Sequence, residues 1–302
     1  MHSIAIHGGA GAMPRERLSA AREKEYRAGL EAALDAGYTI LEQGGSSLDA
    51  VSTAVRILED DPLFNAGRGA ALTRDGAAEL DAAIMDGRRQ RAGAVASVHH
   101  VRNPIDLARR VMEKSRHVLL VGAGAEEFAL EEGIALVPNE YFRTEERRRQ
   151  LESARHGQQT SELVGSPQGT VGAVAADKEG NLAAATSTGG MTNKRQGRVG
   201  DSPIIGAGTY AKNGVCAVSA TGQGEYFIRA VAAYHICSAV EYRGLTLGQA
   251  AREMLHQILS GLGGSGGIIA VGEGGEIVMD FSTEGMFRGA RDSSGRREVA
   301  IY

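Results

Sequence analysis

The chain has 302 residues, of which 42% are hydrophobic, and it can therefore bury the core of one large α/β domain or of two small ones. Its formal net charge of -4 leaves no excess of positive charge, which argues against nucleic acid as the main partner. No apolar run is long enough and free enough of charge to span a bilayer, so we expect no membrane insertion.

The two cysteines, Cys216 and Cys237, stand in apolar runs and lack the spacing of metal ligands. They could pair in one disulfide, but buried cysteines often behave simply as small hydrophobic residues. We therefore expect free thiols, which suits a reducing environment and predicts a cytoplasmic location. The first residues enter a short strand without a basic segment and a long apolar stretch, so no secretion signal is predicted.

The N-terminal half is predicted to alternate strands with helices. A strand at residues 4–6 leads into a glycine loop at residues 7–11. Helical spacing or composition predicts helices at 15–43, 49–58, 104–114, 123–131 and 141–154. Strands are predicted at 78–85, 92–98 and 117–121, with a hairpin turn at Asp86 and Gly87 between the first two.

The C-terminal half continues this alternation after a polar run at residues 155–168. Strands are predicted at 171–176, 182–186, 214–220, 268–271 and 277–281, and helices at 224–242 and 246–259. A polar, glycine-rich loop spans 187–203. No linker or repeat divides the chain, so residues 1–302 are predicted to form a single α+β domain with a two-sheet core and helices outside.

The junction at residues 168–171 is unusual for the interior of a domain. The polar run ends without a tight turn, and an apolar strand begins at once after Gly169 and Thr170. Cleavage of the chain before Thr170 would resolve the mismatch, because the strand would then begin at a new N-terminus. A free N-terminal threonine carries a hydroxyl nucleophile and an amine base on one residue. The sequence therefore favours a threonine nucleophile at this position.

Two glycine motifs that could indicate other chemistry fit poorly. Residues 263–267 match the pattern G-x-S-x-G, but a helix precedes them, a strand follows, and His256 is the last histidine of the chain. Residues 122–124 follow a strand as a dinucleotide-binding loop would, yet Glu127 stands in the place of the third glycine. Neither motif is therefore taken as a catalytic or cofactor site.

The histidines offer no obvious metal site or triad base. His99 and His100 are adjacent, so their side chains point to opposite faces of a strand and give no zinc site. His7 is the one histidine in a glycine loop, and on its own we interpret it as a structural residue. An N-terminal threonine needs no histidine, because its own amine is the base.

Short motifs are spread from residue 7 to residue 225. They are HGGAG at 7–11, FNAG at 64–67, GTVGAV at 169–174, TSTGG at 186–190, GRVGDSP at 197–203 and TGQGE at 221–225. In identity and order they resemble the plant-type L-asparaginases and isoaspartyl aminopeptidases, which are N-terminal-nucleophile hydrolases. The resemblance covers most of the chain.

The resemblance implies an αββα sandwich of two sheets flanked by helices, which cuts itself into an α subunit (residues 1–169) and a β subunit (residues 170–302). It further implies a homodimer of cleaved αβ units that hydrolyses isoaspartyl dipeptides and, secondarily, L-asparagine. A glycosylasparaginase is the alternative within the same class, and Gly169 in place of aspartate argues against it. A binding protein that never matures is the alternative from another class.

The resemblance also implies catalytic roles for particular residues. Thr170 would attack first the carbonyl of Gly169 and then the side-chain carbonyl of the substrate. Glycine suits the first step, since it tolerates a strained backbone at the bond to be broken. Thr188 would orient the nucleophile. Thr221 and Gly222 would form the oxyanion hole, through one hydroxyl and one backbone N–H.

Substrate and metal binding follow from the same resemblance. Arg198 would hold the α-carboxylate of the substrate and Asp201 its α-ammonium, while Asn65 would lie near the active site. The chemistry requires no cofactor. A structural sodium ion is implied, bound by backbone oxygens, and the expected ligands are Leu58, Glu59, Asp61, Phe64, Ala66 and Arg68.

Overall fold

The computed structural model describes residues 1–11, 18–157 and 169–302. Its strands are β1 (Ser3–Gly11), β2 (Leu80–Asp86), β3 (Arg91–Val98), β4 (Leu119–Val121), β5 (Val171–Ala176), β6 (Leu182–Thr188), β7 (Thr209–Lys212), β8 (Cys216–Gly222), β9 (Gly266–Gly272), β10 (Ile277–Phe281), β11 (Gly285–Asp292) and β12 (Arg297–Ala300). Its α-helices are α1 (Ala20–Glu42), α2 (Ser47–Asp60), α3 (Pro104–Lys114), α4 (Gly122–Glu131), α5 (Glu145–Arg155), α6 (Gly224–Ala230), α7 (Ala232–Arg243) and α8 (Leu247–Glu253). A 3₁₀ turn (Asn139–Phe142) precedes α5, and a π-helical segment (Met254–Leu259) continues α8.

The larger sheet has eight strands in the order β12-β11-β1-β5-β6-β2-β3-β4. In its interior, β1 runs antiparallel to both β11 and β5 and places His7 opposite Gly172. β5 then pairs with β6, where Gly172 faces Thr186. Every residue of β5 and β6 is buried, which explains the unbroken runs of small residues in these two strands.

The smaller sheet, β10-β9-β8-β7, packs face to face against the larger one. Small and medium apolar side chains fill the space between the sheets, among them Ala5, Val174, Ala184 and Ile269. Helices α1 to α4 cover the other face of the larger sheet, and α6 to α8 cover the other face of the smaller one. The expected α+β architecture, two sheets flanked by helices, is confirmed.

Most predicted elements coincide with observed ones. α3 and β5 have the predicted bounds, and β2 and β3 form the predicted hairpin. The sequence prediction lacks β7, β11 and β12; in β11 the side chains of Arg288 and Arg291 interrupt the apolar pattern. The predicted helix at 224–242 is in fact two helices, because Val231 between them has a φ of 48°.

Two predicted segments fall partly outside the described residues. These are the start of the helix predicted at 15–43 and most of the polar run at 155–168. Within the described residues, α1 begins at Ala20, where the Ser19 hydroxyl accepts a hydrogen bond from the Arg22 amide. The helix predicted from Thr246 starts with a capping box, in which Thr246 and Gln249 each bind the backbone amide of the other.

The prediction of free cysteines is wrong. Cys216 at the start of β8 and Cys237 in α7 form a disulfide, with their Cα atoms 5.8 Å apart. The sequence left this pairing open because the two residues are 21 positions apart and meet only when α7 packs on β8. Disulfides persist mainly in oxidising compartments, so the cytoplasmic location loses this support and stays a prediction. None of the helices in the described part of the chain has the length and apolar character needed to cross a membrane.

Gly172→Ala tests the close contact between the sheets at β5. A Cβ atom at this position would lie 2.1 Å from Ser219 Oγ and 2.4 Å from His7 Nε2, both in buried residues. Overpacking of this kind costs about 1–3 kcal/mol, so we expect a fall in Tm of about 2–5 °C. The control is Gly124→Ala, because Gly124 lies in α4 with no atom near its missing Cβ and alanine favours a helix. Equal Tm values for the two variants would contradict the packing described here.

Candidate active site

A small pocket opens where the ends of β5, β6 and β8 meet. Its lining combines hydroxyl, charged and glycine residues: Thr170, Thr188, Gly190, Met191, Arg198, Gly200, Asp201, Ser202 and Gly222. Five of the predicted site residues thus come together from four separate motifs. Such a concave site with convergent polar groups is the usual form of a small-molecule site.

Thr170 lies immediately before β5 and is only 6% exposed. Its backbone nitrogen donates to Thr221 Oγ1 over 3.2 Å, and its hydroxyl lies 3.3 Å from Ser202 Oγ. Its carbonyl oxygen accepts a hydrogen bond of 2.9 Å from His7 Nδ1. The nitrogen, the hydroxyl and the carbonyl of this residue are therefore each held by a different side chain.

Gly169 is required by packing as well as by the backbone freedom expected from the sequence. A Cβ atom here would lie 2.5 Å from Gly9 Cα, 2.6 Å from Thr221 Oγ1 and 2.7 Å from the backbone nitrogen of Ala10. Residues 7–11, expected from the sequence to be a loop, belong to β1, and this glycine-rich end of the strand packs directly on the residue before Thr170. A side chain at position 169 would displace the end of β1 or Thr221.

Thr221 and Gly222 end β8 beside Thr170. Thr221 Oγ1 accepts hydrogen bonds from the backbone nitrogens of Thr170 and Ala10, both over 3.2 Å, and its own hydrogen remains for a further acceptor. Gly222 lines the pocket and has a φ of 149°. A Cβ there would lie 2.6 Å from Ser265 O, so glycine is needed for this approach.

Thr188 lines the pocket, but the hydrogen bond seen at its hydroxyl comes from the Gly190 amide, over 2.9 Å. The hydroxyl within hydrogen-bond distance of Thr170 Oγ1 is that of Ser202. Asn65 lies behind the pocket wall and fixes it: its Nδ2 donates to Gly190 O and its Oδ1 accepts from the Ala71 amide, both over 2.7 Å. Asn65 therefore contacts the pocket wall from behind and does not line the pocket.

Arg198 is held by a bidentate pair with Glu225, in which Nε and Nη2 each donate over 2.9 Å. Two parallel hydrogen bonds fix the plane of the guanidinium group. Nη1 lies on the side of Gly200, where a Cβ atom would come within 2.9 Å of it. The guanidinium therefore keeps donors for an anion in the pocket while Glu225 holds its other edge.

Asp201 is the most strongly perturbed acid of the pocket. Its carboxyl is buried, and in the described part of the chain no hydrogen-bond partner reaches its Oδ2. Burial raises its pKa to about 7; the Arg198 guanidinium opposes this rise, and the Glu225 carboxylate adds to it. A buried carboxyl oxygen without a partner is costly and is suited to a cationic ligand.

The loop expected to bind sodium closes on itself at its base. The Arg68 amide donates to Glu59 O over 2.7 Å, and the Phe64 amide donates to Asp61 O over 3.2 Å. A Cβ atom at Gly69 would lie 2.4 Å from Pro62 O and 2.8 Å from Phe64 O, so carbonyl oxygens crowd the inside of the loop. Such neutral oxygens fit an alkali cation.

The Glu59 side chain does not point toward the carbonyl oxygens inside this loop. Its carboxyl turns to the Ser187 hydroxyl and the Ile105 amide, and burial raises its pKa to about 8. In the described residues, no group of three or more His, Cys, Asp or Glu side chains could hold a metal ion. Backbone oxygens are thus the donors that the loop offers.

Comparison with known proteins decides the family. A sequence profile of the family described as Asparaginase matches residues 1–301. The chain belongs to the asparaginase family. The resemblance predicted from the motifs is thereby confirmed.

The similarity to individual members of the asparaginase family extends over nearly the whole chain. A protein of Salmonella typhimurium named isoaspartyl peptidase is 54% identical, over 99% of this chain and 98% of that protein. One of the same name from Escherichia coli is 53% identical, over 99% of this chain and 95% of that protein. The isoaspartyl peptidase/L-asparaginase of Mus musculus is 46% identical, over 94% of this chain and 86% of that protein.

Sequence reasoning missed a buried charge cluster that supports the pocket of this asparaginase-family chain. Lys194 Nζ donates to Glu79 O over 2.9 Å, and both side chains are 1% exposed. The Glu79 carboxylate accepts from the Gly197 amide at 3.2 and 3.1 Å. The cluster thereby fastens the loop just before Arg198. Glu79 and Lys194 belong to different parts of the chain, and no local pattern connects them.

Asp201→Asn should remove a pH-dependent loss of stability. The wild-type carboxyl has a pKa of about 7 in the folded protein, against an ordinary 3.8. Because the folded state binds the proton more tightly, its stability falls as the pH rises between these values. Relative to the wild type, we expect the variant to gain about 2–3 kcal/mol more at pH 8 than at pH 5, seen as a larger rise in Tm.

The matched control for this experiment is Asp75→Asn, which changes an exposed aspartate that does not line the pocket. Its effect on Tm should be the same at both pH values. If Asp201→Asn also shifted Tm equally at pH 5 and pH 8, the carboxyl would not be protonated in the folded protein.

Proposed function

We propose that this chain is a self-processing hydrolase that releases aspartate from isoaspartyl dipeptides and also deamidates L-asparagine. The observation that carries the proposal is the setting of Thr170, whose nitrogen contacts Thr221 and whose hydroxyl faces a pocket that also holds Arg198 and Asp201. The names of the relatives, isoaspartyl peptidase and isoaspartyl peptidase/L-asparaginase, support the same activity.

The first step of the proposed mechanism is cleavage of the chain itself. Thr170 Oγ1 attacks the carbonyl carbon of Gly169, the C–N bond breaks, and the acyl group moves to the threonine oxygen. Water then hydrolyses the ester and leaves Thr170 with a free amine. The products are the α subunit, residues 1–169, and the β subunit, residues 170–302.

In substrate turnover, the Thr170 amine takes the proton of its own hydroxyl, directly or through a water. The oxygen attacks the side-chain carbonyl of the substrate and forms an acyl-enzyme. The Thr221 hydroxyl and the Gly222 N–H stabilise the oxyanion, and Thr188 orients the nucleophile. The leaving amine or ammonia takes the proton, and water releases aspartate and restores Thr170.

The charges of the pocket support a substrate with a free α-amino acid head group. Arg198 offers donors to an α-carboxylate, and the partnerless oxygen of Asp201 suits an α-ammonium. With both head-group charges held, the bond that reaches Thr170 must lie on the substrate side chain. L-asparagine and β-aspartyl peptides meet this condition.

Several finer features belong to the same proposal. The two sheets and their helices form the αββα sandwich of N-terminal-nucleophile hydrolases, and two cleaved αβ units form a dimer. A sodium ion is bound by the backbone oxygens of the loop from Leu58 to Arg68, where it stabilises the loop and takes no part in the reaction. The crowded carbonyl oxygens around Gly69 support this assignment.

Thr170→Ala should abolish both self-cleavage and hydrolysis, because alanine lacks the attacking oxygen. A denaturing gel of the variant should show one chain of 31.6 kDa, whereas the wild type should show two smaller bands. N-terminal sequencing of the wild type should find Thr170 first. Thr53→Ala, a change in α2, is the control and should mature normally. Cleavage of the Thr170→Ala chain would rule out this residue as the processing nucleophile.

A panel of substrates tests the proposed specificity. We expect release of aspartate from an isoaspartyl-leucine dipeptide and from L-asparagine, and none from the α-linked aspartyl-leucine dipeptide, because only the β-linkage places the scissile carbonyl away from the clamped head group. Preferential cleavage of N-glycosyl asparagine would instead indicate a glycosylasparaginase. A chain that stays intact and hydrolyses nothing would indicate a binding protein.

A further inference from the structure

A chain of buried polar side chains runs between the two sheets behind Thr170. His7 Nε2 lies 2.9 Å from Ser219 Oγ, Ser219 Oγ lies 2.7 Å from Thr186 Oγ1, and Thr209 Oγ1 donates to Thr186 Oγ1 over 2.6 Å. The four residues come from β1, β8, β6 and β7, and all are fully buried. The proposed chemistry uses none of them. The presence of four hydrogen-bonded polar side chains within an apolar core therefore calls for a reason.

The direction of each hydrogen bond in this series of side chains follows from its last acceptor, the Thr170 carbonyl. The carbonyl oxygen of Thr170 can only accept, so His7 Nδ1 must carry the proton in their 2.9 Å contact. Burial lowers the pKa of His7 to about 3, which leaves the ring neutral and Nε2 an acceptor. Ser219 must therefore donate its single hydroxyl hydrogen to His7 Nε2.

The same reasoning fixes the remaining two links. Since the hydrogen of Ser219 is used, its oxygen accepts from Thr186, and Thr186 in turn accepts from Thr209. The competing acceptors are farther away, Gly208 O at 3.4 Å from Thr186 and Ser202 O at 3.0 Å from Thr209. All the hydrogen bonds thus point one way, toward the carbonyl of Thr170, and bonds in such a chain strengthen one another.

The surrounding backbone is shaped to hold the histidine in this position. Gly172 stands opposite His7 on β5, and any Cβ there would occupy the space of the His7–Ser219 hydrogen bond. The pairing of β5 with β6 begins at Val171, so Thr170 lies just outside the paired part of β5. The hydrogen bond from His7 therefore fixes the main chain one residue before the paired strand, at Thr170 itself.

We propose that His7 is a positioning residue, which fixes the main chain of Thr170 through its neutral, Nδ1-protonated ring and is itself locked by the hydroxyl chain from Ser219. The inference rests on the proposed function. After cleavage Thr170 keeps a covalent link only to Val171, so noncovalent contacts must fix the remaining freedom of its main chain and hold its amine and hydroxyl against the substrate. A shift of about 1 Å in a reacting group can lower the rate about a hundredfold.

Two substitutions separate the two hydrogen bonds of the ring. His7→Asn places an amide near the position of Nδ1 and can still donate to the Thr170 carbonyl, whereas His7→Gln places its amide near Nε2 and retains only the contact with Ser219. With the isoaspartyl-leucine dipeptide, we expect His7→Gln to lower kcat about a hundredfold and His7→Asn less than tenfold, with KM changed less than twofold in both. A kcat for His7→Gln equal to or above that of His7→Asn, or a loss confined to KM, would overturn the proposal.

The hydroxyl chain has its own variant and control. Ser219→Ala removes the donor to His7 Nε2, and we expect kcat to fall about tenfold at unchanged KM. Ser52→Ala, which removes a hydroxyl bonded to Leu48 O in α2, is the matched control and should keep the wild-type kcat. Unchanged kcat in Ser219→Ala would show that the hydroxyl chain does not support His7.

One measurement remains informative even if the variants do not fold or mature. Nitrogen-15 NMR of the wild-type histidine rings at pH 7 should show His7 neutral with its proton on Nδ1; a proton on Nε2, or a charged ring, would overturn the proposal. Failure of the proposed function looks different, since a wild type without isoaspartyl hydrolysis would leave this spectrum unchanged. The kinetic comparison applies to wild-type enzyme whose N-terminal Thr170 and activity have been verified.

Discussion

The antiparallel pairing of β1 with β5 is the constraint on which the rest of the structure depends. It places the glycine-rich end of β1, from His7 onward, against Gly169 and Thr170, residues more than 160 positions later. Gly9 then packs on Gly169, and the His7 ring reaches the Thr170 carbonyl. The start of the chain therefore builds the surroundings of the junction at which we propose that the chain is cut.

Face-to-face packing of the two sheets completes the site. It brings the end of β8, with Thr221 and Gly222, to the nitrogen of Thr170, and leaves room between the sheets for a row of hydroxyl groups. This approach is possible because the facing strands carry mainly alanine, glycine and valine. Bulkier residues would separate the sheets and with them the two halves of the site.

The two charged residues of the pocket, Asp201 and Arg198, differ in how well the folded protein holds them. Among the residues that the structure describes, no partner reaches one buried oxygen of Asp201. Burial disfavours the ionised form of this carboxyl and so destabilises the folded protein as the pH rises. Arg198, by contrast, is already held by Glu225, and the loop before it by the buried pair of Glu79 and Lys194. Arg198, which we propose binds an anion, is thus preorganised, while Asp201, which we propose binds a cation, is held less completely, as is common at functional sites.

The limits of sequence reasoning here follow from the range of the interactions. Apolar periodicity places α3 and β5 correctly, but β11 is missed because arginines interrupt its pattern, and one helix is predicted where Val231 makes two. The motifs identify five residues that line the pocket. They do not indicate Ser202 as the neighbour of the Thr170 hydroxyl, and they leave His7 as an isolated structural histidine.

The sequence by itself determined the family, the α+β class, most helices and strands, and five of the residues that meet at the pocket, because these are recorded in local spacing and contiguous motifs. Tertiary structure alone decided the Cys216–Cys237 disulfide, the support of the pocket by Glu79 and Lys194, and the hydrogen bonds that reach His7. Each of these joins residues from separate elements. Such contacts depend on strand register and on the packing of the sheets, which no short stretch of sequence encodes.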